Sequence, residues 1–295
     1  MGDLVYAIEL AITGLLIGLM YSMVALGFVL IYKASAVFNF AQGAMTLFAA
    51  LTLVGFMSLM PVWLAVLATL AAMGVLAVMA ERWVFRPLVG RSPLVLFMGT
   101  VGLAYILEGA AQIAWGTQPR GLKLPIPLDP LQLGGVYISK PDLVAAAGAG
   151  ILLVLLVLFF QKTRIGLGLR AIADDQLAAL CIGVPLQKVW AVAWALAGFV
   201  ALVAGIMWGS RIGVHFAMSL IALKALPVLI IGGIESIPGA IVGGLIVGAA
   251  EALGEGFLGV AVGGGVQDIM AYLVALAFLT VRPYGIFGQE IIERV

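Results

Sequence analysis

Charge is scarce in this sequence: only 10% of its 295 residues are Asp, Glu, Lys or Arg, and there is one cysteine and one histidine. A soluble domain carries roughly 25% charged and about 45–50% apolar residues with glycine counted. Here 64% are hydrophobic with glycine left out, and the mean hydropathy is +1.22. Most of the surface must face a solvent other than water, and the bilayer is that solvent. Cys181 alone excludes an internal disulfide, and His215 alone excludes a His/Cys metal site and leaves no second histidine as a base. A net charge of +1 gives no electrostatic reason to expect nucleic acid or a polyanionic substrate. There is no G-x-x-x-x-G-K-[ST] phosphate loop, no H-E-x-x-H and no G-x-S-x-G. Asp3, Asp129, Asp142, Asp174, Asp175 and Asp268 all fall in loops or near span ends, which argues against a two-aspartate intramembrane protease. No catalytic residue and no metal ligand is identified, so the chain reads as a transport subunit rather than an enzyme.

At about 20 residues per crossing the apolar length gives room for about eight to ten spans. The chain is read as an all-α polytopic membrane protein, one transmembrane domain over 1–295. Apolar runs predict helices over 4–32, 36–60, 62–81, 94–115, 142–161, 189–209, 218–231, 237–253 and 267–281. The acidic start Met1-Gly2-Asp3 lacks the basic region of a cleavable signal, so the first run is expected to stay as a signal anchor. Two loops hold Arg82, Arg86 and Arg91, and Lys162, Arg164 and Arg170; the positive-inside rule makes both cytoplasmic. Parity then adds Lys33, Lys188, Arg282 and Arg294 to the inside, leaves Arg120, Lys123, Lys140 and Arg211 outside, and keeps Lys224 within a span. The N-terminus is expected outside and the C-terminus in the cytoplasm.

The segment 218–231 is short for a span, and Gly232-Gly233, Ser236, Pro238 and Gly239 interrupt the run before 237–253. Either a broken helix lining a transport path or a tight cytoplasmic turn fits this pattern. Small residues spaced as Gly14 to Gly18 and Gly244 to Gly248 let helices approach closely, within one bundle or across a dimer. The outer loop 116–141, with Gly134-Gly135, is too short for a domain and reads as a cap or docking surface.

Polar residues at bilayer depth carry the functional signal, because a charge there usually faces a cavity or a partner. Glu108 lies about 21 Å from the inner end of its span at 1.5 Å per residue, with Tyr105 and Gln112 on the same face. Lys224 reaches a similar depth from the outer side, so a Glu108–Lys224 pair lining the path is one expectation, and a structural ion pair or a snorkelling lysine the other. Asn39-Phe40-Ala41-Gln42-Gly43 places two amides early in the second span, suited to a zwitterion or to interhelical hydrogen bonds. Glu9, Glu251, Glu255 and Asp268 fall near outer helix ends, mostly solvated, as an acidic mouth.

The cytoplasmic loop 161–188 is expected to hold one short helix from Leu169 to Leu180, ended by Gly183 and Pro185. Leu169, Ile172, Ala173, Leu177 and Leu180 give it an apolar face, and Asp174 and Asp175 a polar one. Such a helix suits a groove in another protein, or the lipid interface.

Ala25-Leu26-Gly27-Phe28-Val29-Leu30-Ile31-Tyr32 and Asn39-Phe40-Ala41-Gln42-Gly43 resemble the ALGLTLIY and N-F-A-H-G of a known family, with Gln42 in place of His. Arg170-Ala171, Asp174-Asp175 and Ala178-Ala179-x-x-x-Gly183 resemble its coupling segment, and Gly232-Gly233-Ile234-Glu235-Ser236-Ile237-Pro238-Gly239-Ala240 its GG-x-GS-x-PGA, with Glu235 for Gly. The chain is thus similar to the integral membrane permease of the branched-chain amino acid ABC transporters, the LivH type. The resemblance implies a bacterial inner-membrane importer of leucine, isoleucine and valine working by alternating access. It implies a second, LivM-type permease, two cytosolic ATPases holding ATP and Mg, and a periplasmic binding protein at the outer loops; this chain itself needs no cofactor. Arg170, Asp174, Asp175, Ala178, Ala179 and Gly183 would form the ATPase coupling segment, and Asn39, Gln42, Gly43, Glu108, Gln112 and Lys224 are the candidates for the path. Permeases for urea, short amides and aromatic acids look alike, and a stand-alone facilitator is the alternative of another class.

Overall fold

The computed structural model describes residues 2–288 except 89, 123, 125, 126, 128 and 134. Lys123, Gly134 and Arg294, and the side chains of Asp3 and Leu177, lie outside the described residues. Nearly everything else is helix: α1 (Gly2–Ser35), α2 (Gln42–Met57), α3 (Val62–Met79), α4 (Pro93–Trp115), α5 (Lys140–Lys162), α6 (Arg164–Asp174), α7 (Gln176–Cys181) and α8 (Leu186–Ile212) come first. A 3-10 turn Phe216–Leu220 leads into α9 (Ile221–Gly232), followed by α10 (Ile237–Gly254), the short α11 (Val260–Val262) and α12 (Val266–Val281). Among the described residues, strand occurs as β1 (Leu131–Leu133) and β2 (Val136–Ile138), an antiparallel pair with Leu131 opposite Ile138.

Among the described residues, six helical stretches are long and apolar enough to cross a membrane: Leu4–Ser35, Val62–Leu88, Pro93–Trp115, Lys140–Lys162, Leu186–Ile212 and Ile237–Val262. Gln42–Met57, Phe216–Gly232 and Val266–Val281 are shorter apolar helices. The second of the nine expected spans therefore starts late. Residues 36–41 are not helical, with Ala36 at φ 53°, and α2 begins only at Gln42.

The chain divides into two compact units. One comprises Leu26–Leu124 and Ile151–Ala222. Its centre is α2, buried along most of its length and packed on α3, α4 and α8. Small residues make that possible. A Cβ on Gly205 of α8 would sit 2.8 Å from the Thr46 carbonyl oxygen, and Gly55 of α2 lies under the Trp115 ring, whose Nε1 donates to Thr52 Oγ1 at 3.3 Å. Phe85 stacks on the buried Trp194 at 4.4 Å.

The other unit comprises Met1–Ala25, Pro125–Gly150 and Leu223–Val295. Here the two small-residue stripes meet each other within the chain. A Cβ on Gly14 would lie 2.6 Å from the Gly248 carbonyl oxygen, and one on Gly18 2.5 Å from that of Gly244. α10 is turned back on α9 by a tight turn, which decides against a broken helix. Gly233 takes φ +100°, a left-handed conformation that glycine adopts freely. Ser236 Oγ then accepts from Gly239 N at 2.9 Å and caps α10. Gly243 packs against the Val228 carbonyl, and Gly232 and Gly239 meet backbone to backbone.

Candidate functional site

The non-helical stretch 36–41 exposes backbone groups that a membrane protein must satisfy internally, and the polar side chains near it do so. Asn39 Oδ1 accepts from Ala41 N at 3.1 Å, and Thr100 Oγ1 of α4 accepts from Phe40 N at 3.2 Å. Asn39 Nδ2 donates to Gln42 Oε1 at 3.3 Å, and Gln42 Nε2 reaches the Ala197 carbonyl of α8 at 3.5 Å. Phe28, Phe38, Phe40 and Phe97 contact one another in sequence around this junction, stacked, tilted and then edge to face, with centroids 4.8 to 5.1 Å apart. Gly27 lies directly against the Gln42 amide, and Gly43 against the Ser219 carbonyl. Asn39 and Gln42 are 0% exposed. In this conformation the two amides and Gly43 hold helices together, and the path-lining alternative has them closed off from solvent. Asn39→Leu is expected to strand the buried Ala41 N–H and cost about 1–3 kcal/mol, read as a lower midpoint of unfolding for the purified protein in detergent.

The stretch 161–188 differs from the single helix expected over 169–180. It forms two helices, α6 and α7, broken at Asp175, whose backbone is extended at φ −155° and ψ 107°. The cause is the Asp175 side chain, which accepts from Ala178 N at 2.9 Å and so starts a new helix instead of continuing the old one. Thr163 caps α6 through Gly166 N at 3.0 Å. α7 ends in a left-handed Gly183, φ +86°, with Val184 N bonded to Ala179 O and Gly183 N to Leu180 O, both at 3.0 Å. Asp174, Asp175 and Ala178 are exposed, and Ala179 is buried. Arg170 is half-buried, with its Nε lacking a hydrogen-bond partner.

Two clefts flank this segment. One of about 750 Å³ is lined mostly by apolar residues, Ile165, Leu167, Ile182 and Val192 among them, with Arg164 and Lys188 as its cations. The other, of about 430 Å³, is bordered by Leu180, Val184, Lys188, Trp190, Glu81 and Arg86. Glu81 is buried and accepts from Arg86 at 3.2 and 3.3 Å. That pair escapes a reading at helical spacing. Residues 80–85 form a π turn, which brings i and i+5 together instead of i and i+4.

Glu108 is half-buried, Gln112 exposed, and Tyr105 72% exposed. α4 buries Thr100, Leu103, Leu107 and Ala111, so this polar stripe is on the face its own unit leaves uncovered. Lys224 is engaged on other helices than that of Glu108. Its Nζ lies 3.4 Å from Glu251 Oε1 on α10 and 2.7 Å from Asp268 Oδ1 on α12. Glu251 is not solvated as expected: it is 5% exposed and accepts from the Tyr21 hydroxyl at 2.8 Å. The overlooked signal is spacing, since Gly244, Gly248 and Glu251 share one helical face. Pro227 has no N–H to offer the Leu223 carbonyl one turn earlier, and the Tyr272 hydroxyl donates to that oxygen at 3.2 Å. Glu9 accepts from Tyr137 N, and Glu255 from Gly265 N and Gln267 N at the start of α12.

Comparison with known proteins places these features in a family context. Residues 10–281 match the family described as the permease component of branched-chain amino acid transport systems. The chain is 28% identical to the high-affinity branched-chain amino acid transport system permease protein BraD of Pseudomonas aeruginosa, over 100% of both chains. It is 26% identical to LivH of Salmonella typhimurium over 98% of each chain. A probable LivH of Methanocaldococcus jannaschii is 29% identical over 91% of this chain and 88% of that one.

Proposed function

The chain belongs to the family of branched-chain amino acid transport permeases, and on that premise we propose that it is the membrane subunit of an ATP-driven importer of leucine, isoleucine and valine, supplied by an extracytoplasmic binding protein. What carries the reading is the family match over residues 10–281, reached independently by the motifs. The α6–α7 segment adds a physical reason. A capped pair of short helices with exposed Asp174 and Asp175, between two clefts, is suited to a partner's groove.

In this reading two cytosolic ATPases close on ATP, draw the coupling segments of this chain and a homologous permease together, and exchange outward- and inward-open states. Arg170, Asp174, Asp175, Ala178, Ala179 and Gly183 form the contact. The uncovered stripe Tyr105, Glu108 and Gln112 faces the path shared with the second permease, because a charge on a span needs a polar partner or water. The protein is a multi-pass inner-membrane protein, with its N-terminus outside and its C-terminus in the cytoplasm.

The test is uptake of radiolabelled leucine, with urea in parallel, by cells lacking their own systems and expressing the complete set of subunits. Leucine uptake that needs ATP, this chain and the ATPases is the expected result. Urea uptake in its place, or flux through this chain without ATPases, overturns the reading.

A further inference from the structure

One end of the second unit carries charge from solvent into the core. Lys224 lies in the first turn of α9, Glu251 in the last turn of α10 and Asp268 in the first turn of α12. Their side chains are graded in depth: Asp268 is 67% exposed, Lys224 24% and Glu251 6%. Lys224 therefore bridges an outer, wet carboxylate at 2.7 Å and an inner, dry one at 3.4 Å. Its ammonium also lies 6.0 Å from the centroid of the Tyr21 ring.

The cluster has two carboxylates to one ammonium. A pin between helices needs one of each; the second carboxylate, Asp268, is a surplus negative charge at the wet rim of the cluster. Glu251 is held on one side, its Oε2 accepting from Tyr21 at 2.8 Å, while the buried Oε1 faces the Lys224 ammonium at the longer distance of 3.4 Å. An acceptor with spare capacity, a reachable cation and an exposed carboxylate that can rotate away are the parts needed to hold a group bearing both charges.

Resting on the importer reading above, we propose that Lys224, Glu251 and Asp268 form a receptor for the zwitterionic headgroup of an α-amino acid. The substrate carboxylate takes the side of Lys224 that Asp268 occupies, the substrate ammonium settles between Asp268 and Glu251 Oε1, and Tyr21 is a positioning residue that holds the buried carboxylate. Every charge keeps an opposite neighbour during the exchange. A neutral solute such as urea offers no such exchange, so the cluster favours amino acids over uncharged amides.

The test uses the complex of this chain with its partner permease and ATPases, purified in detergent without the binding protein. Saturation-transfer NMR reports contact with leucine, with leucinamide, which lacks the carboxylate, and with 4-methylpentanoate, which lacks the ammonium. Leucine is expected to bind, and each analogue to bind about tenfold more weakly or worse. Asp268→Asn should weaken leucine contact by a similar factor of about ten in complexes that elute intact. Lys224→Met leaves Glu251 buried without a cation and can fail to fold, so Lys224→Met with Glu251→Gln, which removes both groups, is its companion and should also lose leucine contact. Leucine contact unchanged in Asp268→Asn and in the double variant, either analogue binding as tightly as leucine, or no leucine contact in a complex that transports leucine overturns the site. A wild-type complex in proteoliposomes that takes up no leucine refutes the importer reading itself.

Discussion

Gly244→Leu is expected to remove most of the folded protein from the membrane. The backbones of α1 and α10 touch along two glycine pairs, and a Cβ at Gly244 would run into the Ser22 Oγ and lie 2.5 Å from the Gly18 carbonyl oxygen and 3.0 Å from Ser22 N. Backbone cannot rotate aside as a side chain can, so the helices must separate, and contacts near the seam loosen together, including Ser22 Oγ to Ile241 O at 3.3 Å. Overpacking of this kind costs about 1–3 kcal/mol where a core can adjust and more where it cannot. The series Gly244→Ala, Gly244→Val and Gly244→Leu should lower the yield of monodisperse protein in that order. Gly102 on α4, with nothing within 4 Å of its missing Cβ, is the comparison. Gly102→Ala should be neutral or stabilise by about 0.5–1 kcal/mol, since alanine loses less backbone freedom in a helix. Equal behaviour of Gly102→Ala and Gly244→Ala in thermal unfolding in detergent would refute the seam.

Gly183→Arg is expected to abolish ATP-driven uptake while the protein remains in the membrane. Nothing lies within 4 Å of the missing Cβ, so space is not the obstacle. The obstacle is φ +86°, where a side chain costs about 1–2 kcal/mol. Relieving that strain undoes the bond from Val184 N to Ala179 O and re-aims α7 relative to α8. Gly183→Ala isolates the backbone contribution and should reduce uptake partially; Gly183→Arg adds bulk and charge beside Lys188 at the cleft both residues line. Full uptake by Gly183→Arg at normal abundance would remove the coupling role from this segment.

These two glycines illustrate how much of the molecule can be read from residue order. Helices follow from apolar length and stand in all nine places expected, six of them in stretches long enough to cross a membrane among the described residues, and small-residue spacing marks a close seam without naming its partner. Breaks within helices are harder. Asp175 looks like one more surface acid until its carboxylate is seen to hold Ala178 N. The turn at Gly233 to Ser236 reads equally as an interruption until the two helices fold back. Depth of a charge is harder still, because Glu251 is buried by α1, more than two hundred residues earlier in the chain. Lys224 stands out in the sequence as a lone cation in an apolar run, but its partners do not, since they depend on which helices become neighbours.

The stitched break before α2 has a consequence for biogenesis. A chain entering the bilayer from its first residue presents Gln42 long before Ala197, the carbonyl that takes its amide, and presents the Phe40 N–H before Thr100 arrives. Until α4 and α8 are inserted, the Phe40 N–H and the Gln42 Nε2 at the start of the second helix lack the partners that Thr100 and Ala197 supply, and lipid offers none. Its settling is therefore a late event, and a chain truncated before α8 should leave that segment accessible to water-borne reagents while later stretches already span.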